Sequence, residues 1–120
     1  MSIIPKSIRP FLGARDFNIS RAFYTDLGFE EKILSPGFSV FKLGEMSFYL
    51  QDAYVQDWID NTQVFLEVDD LDALWAHLVT LNLPSRYEGV RVEPVRSLAW
   101  GREGFIHDPS GILWHVGEFK

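Results

Sequence analysis

Two stretches of this chain, residues 16–29 and 70–83, line up at an offset of 54: Asp16 falls on Asp70, Ala22 on Ala76, Leu27 on Leu81 and Phe29 on Leu83. A duplication restricts the fold more than composition does, because each half must form the same small unit and the units must bury their apolar faces together. Both stretches read as helices. Each opens on an aspartate able to cap the first turn and closes on Gly28 or Asn82, residues that tolerate the left-handed backbone after a helix. In the second, Leu71, Leu74, Trp75, Leu78 and Leu81 recur at three- and four-residue spacing and so share one face.

Short strand-like runs surround the helices, predicted over residues 8–14, 30–34, 38–43, 46–51, 62–68, 90–95, 105–107 and 112–116, with Pro36-Gly37, Leu43-Gly44 and Asp108-Pro109 as turn chemistry between neighbours. The order is βαβββ twice. The first repeat covers about 6–51, a linker covers 52–61 with a short helix over 54–59, and the second repeat covers about 62–118. This predicts an α+β fold, a single domain over 1–120, in which a curled, mostly antiparallel sheet surrounds a cleft. With 120 residues, 47% of them hydrophobic, the chain can bury a core without staples. Having no cysteine, it cannot hold a disulfide framework, a thiolate zinc site or a cysteine nucleophile.

Alternation along the strands sorts the side chains into faces. Leu12, Ala14, Phe48, Leu50, Val64, Leu66, Val68, Trp114 and Val116 fall on the helix side. Arg9, Phe11, Tyr49, Gln63, Phe65, Glu67 and His115 fall on the other, a mixture of aromatics and a few polar groups suited to a ligand cleft. A slip of one residue in any strand would exchange its faces.

The net charge of −6 argues against nucleic acid or an anionic membrane as partner, since both need a basic face. Its distribution is uneven. Residues 43–85 hold eight acids and no lysine or arginine, which favours a positively charged partner, although the same acids also read as helix caps and solvated loop residues. The opening stretch has no long apolar run, and the expectation is a soluble, cytoplasmic protein. No phosphate loop, nucleophile elbow or helical His-x-x-x-His pair is present; His77 and His107 read as structural or solvated.

PFLGARD at 10–16, FYTDLGF at 23–29, DNT at 60–62, VDDLDAL at 68–74, WGRE at 100–103 and DPSG at 108–111 together resemble the vicinal oxygen chelate superfamily, which includes glyoxalases, bleomycin resistance proteins and dioxygenases. The DNT and WGRE segments are most similar to those of the bleomycin resistance proteins. In the metal-dependent branches four inward side chains hold a divalent ion, and by this resemblance those positions are Arg9, Tyr49, Gln63 and His115. Only His115 is a good ligand and Arg9 is a fixed cation, so the expectation is no metal, no cofactor and no catalytic residue. The alternative is a metal-dependent enzyme of the glyoxalase I-like lyase or thiol transferase kind, with Glu67 and His115 as a degenerate site.

The resemblance therefore implies a small-molecule binding protein that sequesters a cationic, aromatic antibiotic of the bleomycin class, working as a homodimer. Binding such a ligand needs aromatic surfaces for stacking and carboxylates for the cation. Phe38, Phe65 and Trp100 match positions where that family presents aromatics, and Asp60 and Asn61 match its DNT segment. Tyr49, Gln63, Glu67 and His115 complete the candidate ligand set from the strand faces. Each has a plainer role open to it: core packing for the phenylalanines, a lid or dimer contact for Trp100, a cap or turn for Asp60.

Overall fold

The computed structural model describes residues 1–120, which run β1 (Phe11–Gly13), α1 (Phe17–Leu27), β2 (Glu30–Ser35), β3 (Phe38–Leu43), β4 (Met46–Gln51), α2 (Gln56–Asp60), β5 (Gln63–Glu67), α3 (Leu71–Leu81), α4 (Leu83–Arg86), β6 (Arg91–Ser97), β7 (Gly101–His107) and β8 (Leu113–Phe119). The two helices of the repeat form with the ends expected. The Asp16 side chain accepts from the Ile19 amide and Asp70 from the Ala73 amide, while Gly28 at φ 120° and Asn82 at φ 52° stop the helices.

Each repeat folds into a four-stranded mixed sheet, ordered β1-β4-β3-β2 in the first and β5-β8-β7-β6 in the second. Within each, the first and last strands pair in parallel (β1 with β4, β5 with β8) and the other pairings are antiparallel. The α+β fold of two βαβββ repeats is as expected, and the two sheets, one from each repeat, are not closed.

Six predicted strands change length: β2 and β6 gain one residue and β5 loses two, while β1, β7 and β8 change for reasons the local sequence explains. The first is β1 at three residues where 8–14 was expected, because Pro10 has no amide to donate and the ladder begins at Phe11; residues 8–10 lie exposed. The seventh is longer than 105–107 and the eighth runs past 116, and the cause is glycine. Gly101 and Gly104 lie within β7 where the Glu118 carbonyl and the Trp75 ring press onto it, and Gly117 lies within β8 under the Phe65 ring. The linker helix is α2 at Gln56–Asp60 instead of 54–59, and α4 was not anticipated.

The helix-side faces of both sheets enter one core. Leu12, Phe48 and Leu50 come from the first half, Trp114 and Val116 from the second, and all are buried, while Val64, Leu66 and Val68 pack against them. The Phe48 and Trp114 rings meet across the halves with centroids 5.5 Å apart. At the centre the Tyr24 hydroxyl donates to Asp108 Oδ2 at 2.7 Å and accepts from Trp114 Nε1 at 3.0 Å. Asp108 Oδ1 accepts the amides of Ser110, Gly111 and Ile112 at 2.8–2.9 Å. Burial pushes the Asp108 carboxyl above its ordinary value, and the Tyr24 hydroxyl and those amides pull it back. Burial beside that carboxylate also drives Tyr24 well above its ordinary value, which keeps its proton in place as the donor.

Tyr24→Phe should therefore destabilise the fold by about 1–3 kcal/mol, the cost of leaving a buried carboxylate oxygen and an indole N–H without their partner. Urea unfolding measures this, and a loss below about 0.5 kcal/mol, less than a typical net hydrogen bond contributes, would show the contact to be incidental.

Candidate functional site

Because both sheets turn their helix-side faces into one core, their outer faces look away from each other. A single chain thus carries two separate faces where one shared cleft was expected, and the predicted site residues divide between them.

On the second sheet, Phe65, Trp100 and Phe119 form a cluster with ring centroids 5.0–5.9 Å apart. Phe65 and Phe119 are each about half exposed, 46% and 54%. Trp100 sits in the tight connection between β6 and β7, closed by hydrogen bonds between Leu98 and Gly101. Beneath the cluster lies Gly117, where a Cβ would come within 2.6 Å of Phe65 Cζ and 3.2 Å of Trp100 Cη2. The rings rest on bare backbone, so this glycine is what lets them lie flat against β8.

His115 adjoins the cluster. One ring nitrogen, Nε2, is 2.7 Å from Gln63 Oε1, and the other, Nδ1, is 3.5 Å from Glu103 Oε2. Its ring lies between Phe65, at 6.5 Å, and the edge of Phe105, at 4.9 Å. Glu103 is buried, with 6% of its surface exposed, and its other oxygen lies 3.5 Å from Arg96 Nη2. Glu67 stands exposed two residues along β5 from Phe65, on the same face.

The first sheet holds the rest. Phe11, Phe38 and Tyr49 stack with centroids 4.9–6.0 Å apart, and Arg9 lies over Tyr49, donating to its hydroxyl at 3.0 Å and to Ser47 Oγ at 2.8 Å. A groove of about 520 Å³ runs beside them, lined by charges of both signs, including Lys6, Lys32, Lys42 and Glu45.

So the structure brings together Gln63, Phe65, Glu67, Trp100 and His115 on one face and Phe38 and Tyr49 on the other. Asp60 and Asn61 join neither. Both end α2: Asp60 lies next to the Gly111 turn, and the Asn61 side chain donates to the Asp57 carbonyl at 2.7 Å. Glu103, Phe105, Arg96 and Phe119 belong to the second face but escaped the sequence reading. The signal was available: continuing the alternation of the seventh strand back from Phe105 reaches Glu103, and continuing the eighth from His115 reaches Gly117 and Phe119.

The four positions matching the superfamily's metal site form two bonded pairs, Arg9 with Tyr49 and Gln63 with His115, one on each sheet. This donor set does not fit a divalent ion. Arg9 is permanently charged and occupies the Tyr49 hydroxyl, and Gln63 holds His115. No group of three or more His, Asp or Glu side chains converges anywhere in the chain.

No family model matches the sequence, and no curated protein matches it either. Solved structures do. A bleomycin-binding protein from bleomycin-producing Streptomyces verticillus, complexed with copper(II)-bleomycin, superposes with a TM-score of 0.82 at 27% identity, covering 100% of both chains. The fold is that of the vicinal oxygen chelate superfamily. A bleomycin resistance determinant encoded on the transposon Tn5 gives 0.83 at 20% identity over 97% of this chain and 99% of its own. An antibiotic binding protein from a Streptomyces species gives 0.75 at 21% identity over 99% and 100%. No helix of the chain is long and apolar enough to cross a membrane.

Gly117→Ala should displace the Phe65 and Trp100 rings while costing little stability, because both rings are free to swing toward solvent. The tryptophan region of the near-ultraviolet circular dichroism spectrum should change with the melting temperature almost intact. An unaltered spectrum would mean that the rings do not rest on this glycine.

Proposed function

We propose that this protein is a cytoplasmic homodimer that binds and sequesters a cationic, aromatic antibiotic of the bleomycin class without altering it chemically. The observation that carries this reading is the cluster of half-exposed Phe65 and Phe119 with the partly buried Trp100, on the same sheet face as the carboxylates of Glu67 and Glu103. Flat heteroaromatic rings stack on such a surface, and a cationic tail is drawn to the acids and to a chain of net charge −6. The likeness to bleomycin-binding and antibiotic-binding structures supports small-molecule binding as the general role.

The outward-facing sheets support the dimer. A ligand gains most when buried on both sides, and one chain offers only one side at a time. A second copy placing its first sheet over this second sheet would set Phe38 and Tyr49 opposite Phe65 and Trp100, giving two equivalent clefts by symmetry. The exposed, apolar Ile3, Ile4 and Ile8 of the leading segment are suited to the same partner. Asp60 enters as a rim charge that attracts the cation from outside the aromatic floor, with the neutral Asn61 next to it at the end of α2.

Metal-stripped protein titrated with metal-free bleomycin, followed by tryptophan fluorescence and heat, should show saturable binding near one drug per chain. Absence of both heat and quenching would overturn the reading. Trp100→Ala should lose about 1–3 kcal/mol of binding, the range for a stacked aromatic platform, with unfolding unchanged. Asp60→Asn should lessen the salt dependence of affinity; an unchanged slope takes Asp60 out of the site.

A further inference from the structure

We propose that Arg96 is a resident competitor for the ligand's cation: it occupies a guanidinium subsite on the outer face of the second sheet, and a ligand must displace it. This rests on the reading above only in taking that face as the one that meets the ligand.

The backbone aims Arg96 at this subsite. In the β6–β7 ladder Glu93 pairs with Phe105, but the next pair is Arg96 with Glu103, so three steps on β6 match two on β7. That is a bulge, with Pro94, which has no amide to give to the ladder, inside it. Without the extra residue Val95 would lie opposite Glu103 and Arg96 would point toward the core side. The bulge turns it outward, onto the face of Phe105, His115 and Phe65.

There Arg96 makes the contacts a cationic ligand would make. Its guanidinium lies 5.0 Å from the Phe105 ring centroid, and its Nη2 is 3.5 Å from Glu103 Oε1. The two partners are unequally held: the Arg96 side chain is 59% exposed and that of Glu103 only 8%. An exposed arginine at 3.5 Å gives up its place at small cost, whereas a buried carboxylate needs a cation or strong donors beside it. His115 attends the other Glu103 oxygen and leaves Oε1 to the guanidinium. Phe105, His115, Phe65 and Trp100 then form one continuous aromatic row. The subsite therefore takes a guanidinium or primary ammonium group at the Phe105 end, joined to a flat ring that reaches toward Trp100. Exchange for Arg96 conserves the charge balance at Glu103, so the arginine sets a threshold that weak cations do not cross.

Agmatine, a small guanidinium amine, is the probe, followed by NMR through the ring resonances of Phe105 and His115. Arg96→Ala should bind it about 3- to 30-fold more tightly than the unaltered chain, the span expected when a screened ion pair and a cation–π contact no longer compete. Arg96→Lys should restore most of the competition. Arg86→Gln, which removes one positive charge from a different ion pair, the one with Asp26 of α1, should gain little. Equal or weaker binding by Arg96→Ala, or the same gain in Arg86→Gln, would overturn the assignment. The two readings fail separately. If the unaltered protein ignores bleomycin while Arg96→Ala tightens on agmatine, the antibiotic is wrong and the subsite stands. If bleomycin binds and Arg96→Ala gains nothing, the subsite is wrong and the antibiotic stands.

Discussion

The Asp108 carboxylate joins the two halves of this molecule. It sits in the turn between β7 and β8, takes three amides of its own turn, and accepts the Tyr24 hydroxyl from α1 of the other repeat. Next to it, Ser110 Oγ accepts the Arg15 amide at 2.9 Å, just before α1 begins. A buried charge of this kind persists only where its donors are fixed, so the turn and the helix must be positioned together. Tyr24 of FYTDLGF and Asp108 of DPSG, 84 residues apart in the sequence, are thus the two sides of a single contact.

That contact also decides where a ligand can go. By locking helix-side face to helix-side face it sends the remaining faces outward, and each carries exposed aromatic rings that the core has no room to cover. A monomer therefore presents a floor without a ceiling. The packing that stabilises the fold also leaves each outer face uncovered, and in the dimer proposed above a second copy would supply the facing wall.

Much of this was legible because its causes are local. The caps at Asp16 and Asp70 need only a side chain and an amide three residues on, and the face assignments of Phe48, Leu50, Trp114 and Val116 follow from a period of two. The separation of the two outer faces was not legible, because alternation says which side chains share a face and nothing about whether two faces meet. Glu103 was hidden for a different reason. Its strand begins at Gly101, and a glycine that admits the Glu118 carbonyl looks, in sequence, the same as one that ends a strand. The bulge before Arg96 was hidden as well, since strict alternation from Val92 places Arg96 on the core side.

The duplication shows how far the two faces have diverged on one scaffold. Phe11 and Phe65 stand 54 residues apart, and they occupy equivalent ladder positions, opposite Tyr49 and His115. On both sheets a guanidinium lies over an aromatic ring, Arg9 over Tyr49 at 5.6 Å and Arg96 over Phe105 at 5.0 Å. The difference is what lies beside the ring. Arg9 donates to the neutral hydroxyls of Ser47 and Tyr49 from its own edge of the sheet, whereas Arg96 leans on a buried carboxylate that any cation could satisfy. The first arrangement closes its face as a stable positive cap; the second holds a cation loosely where an anionic floor stays in place if it leaves. In the dimer proposed above, the wall carrying Arg9 would present a fixed positive charge at its rim, and the wall carrying Glu103 would be the one able to receive a cation.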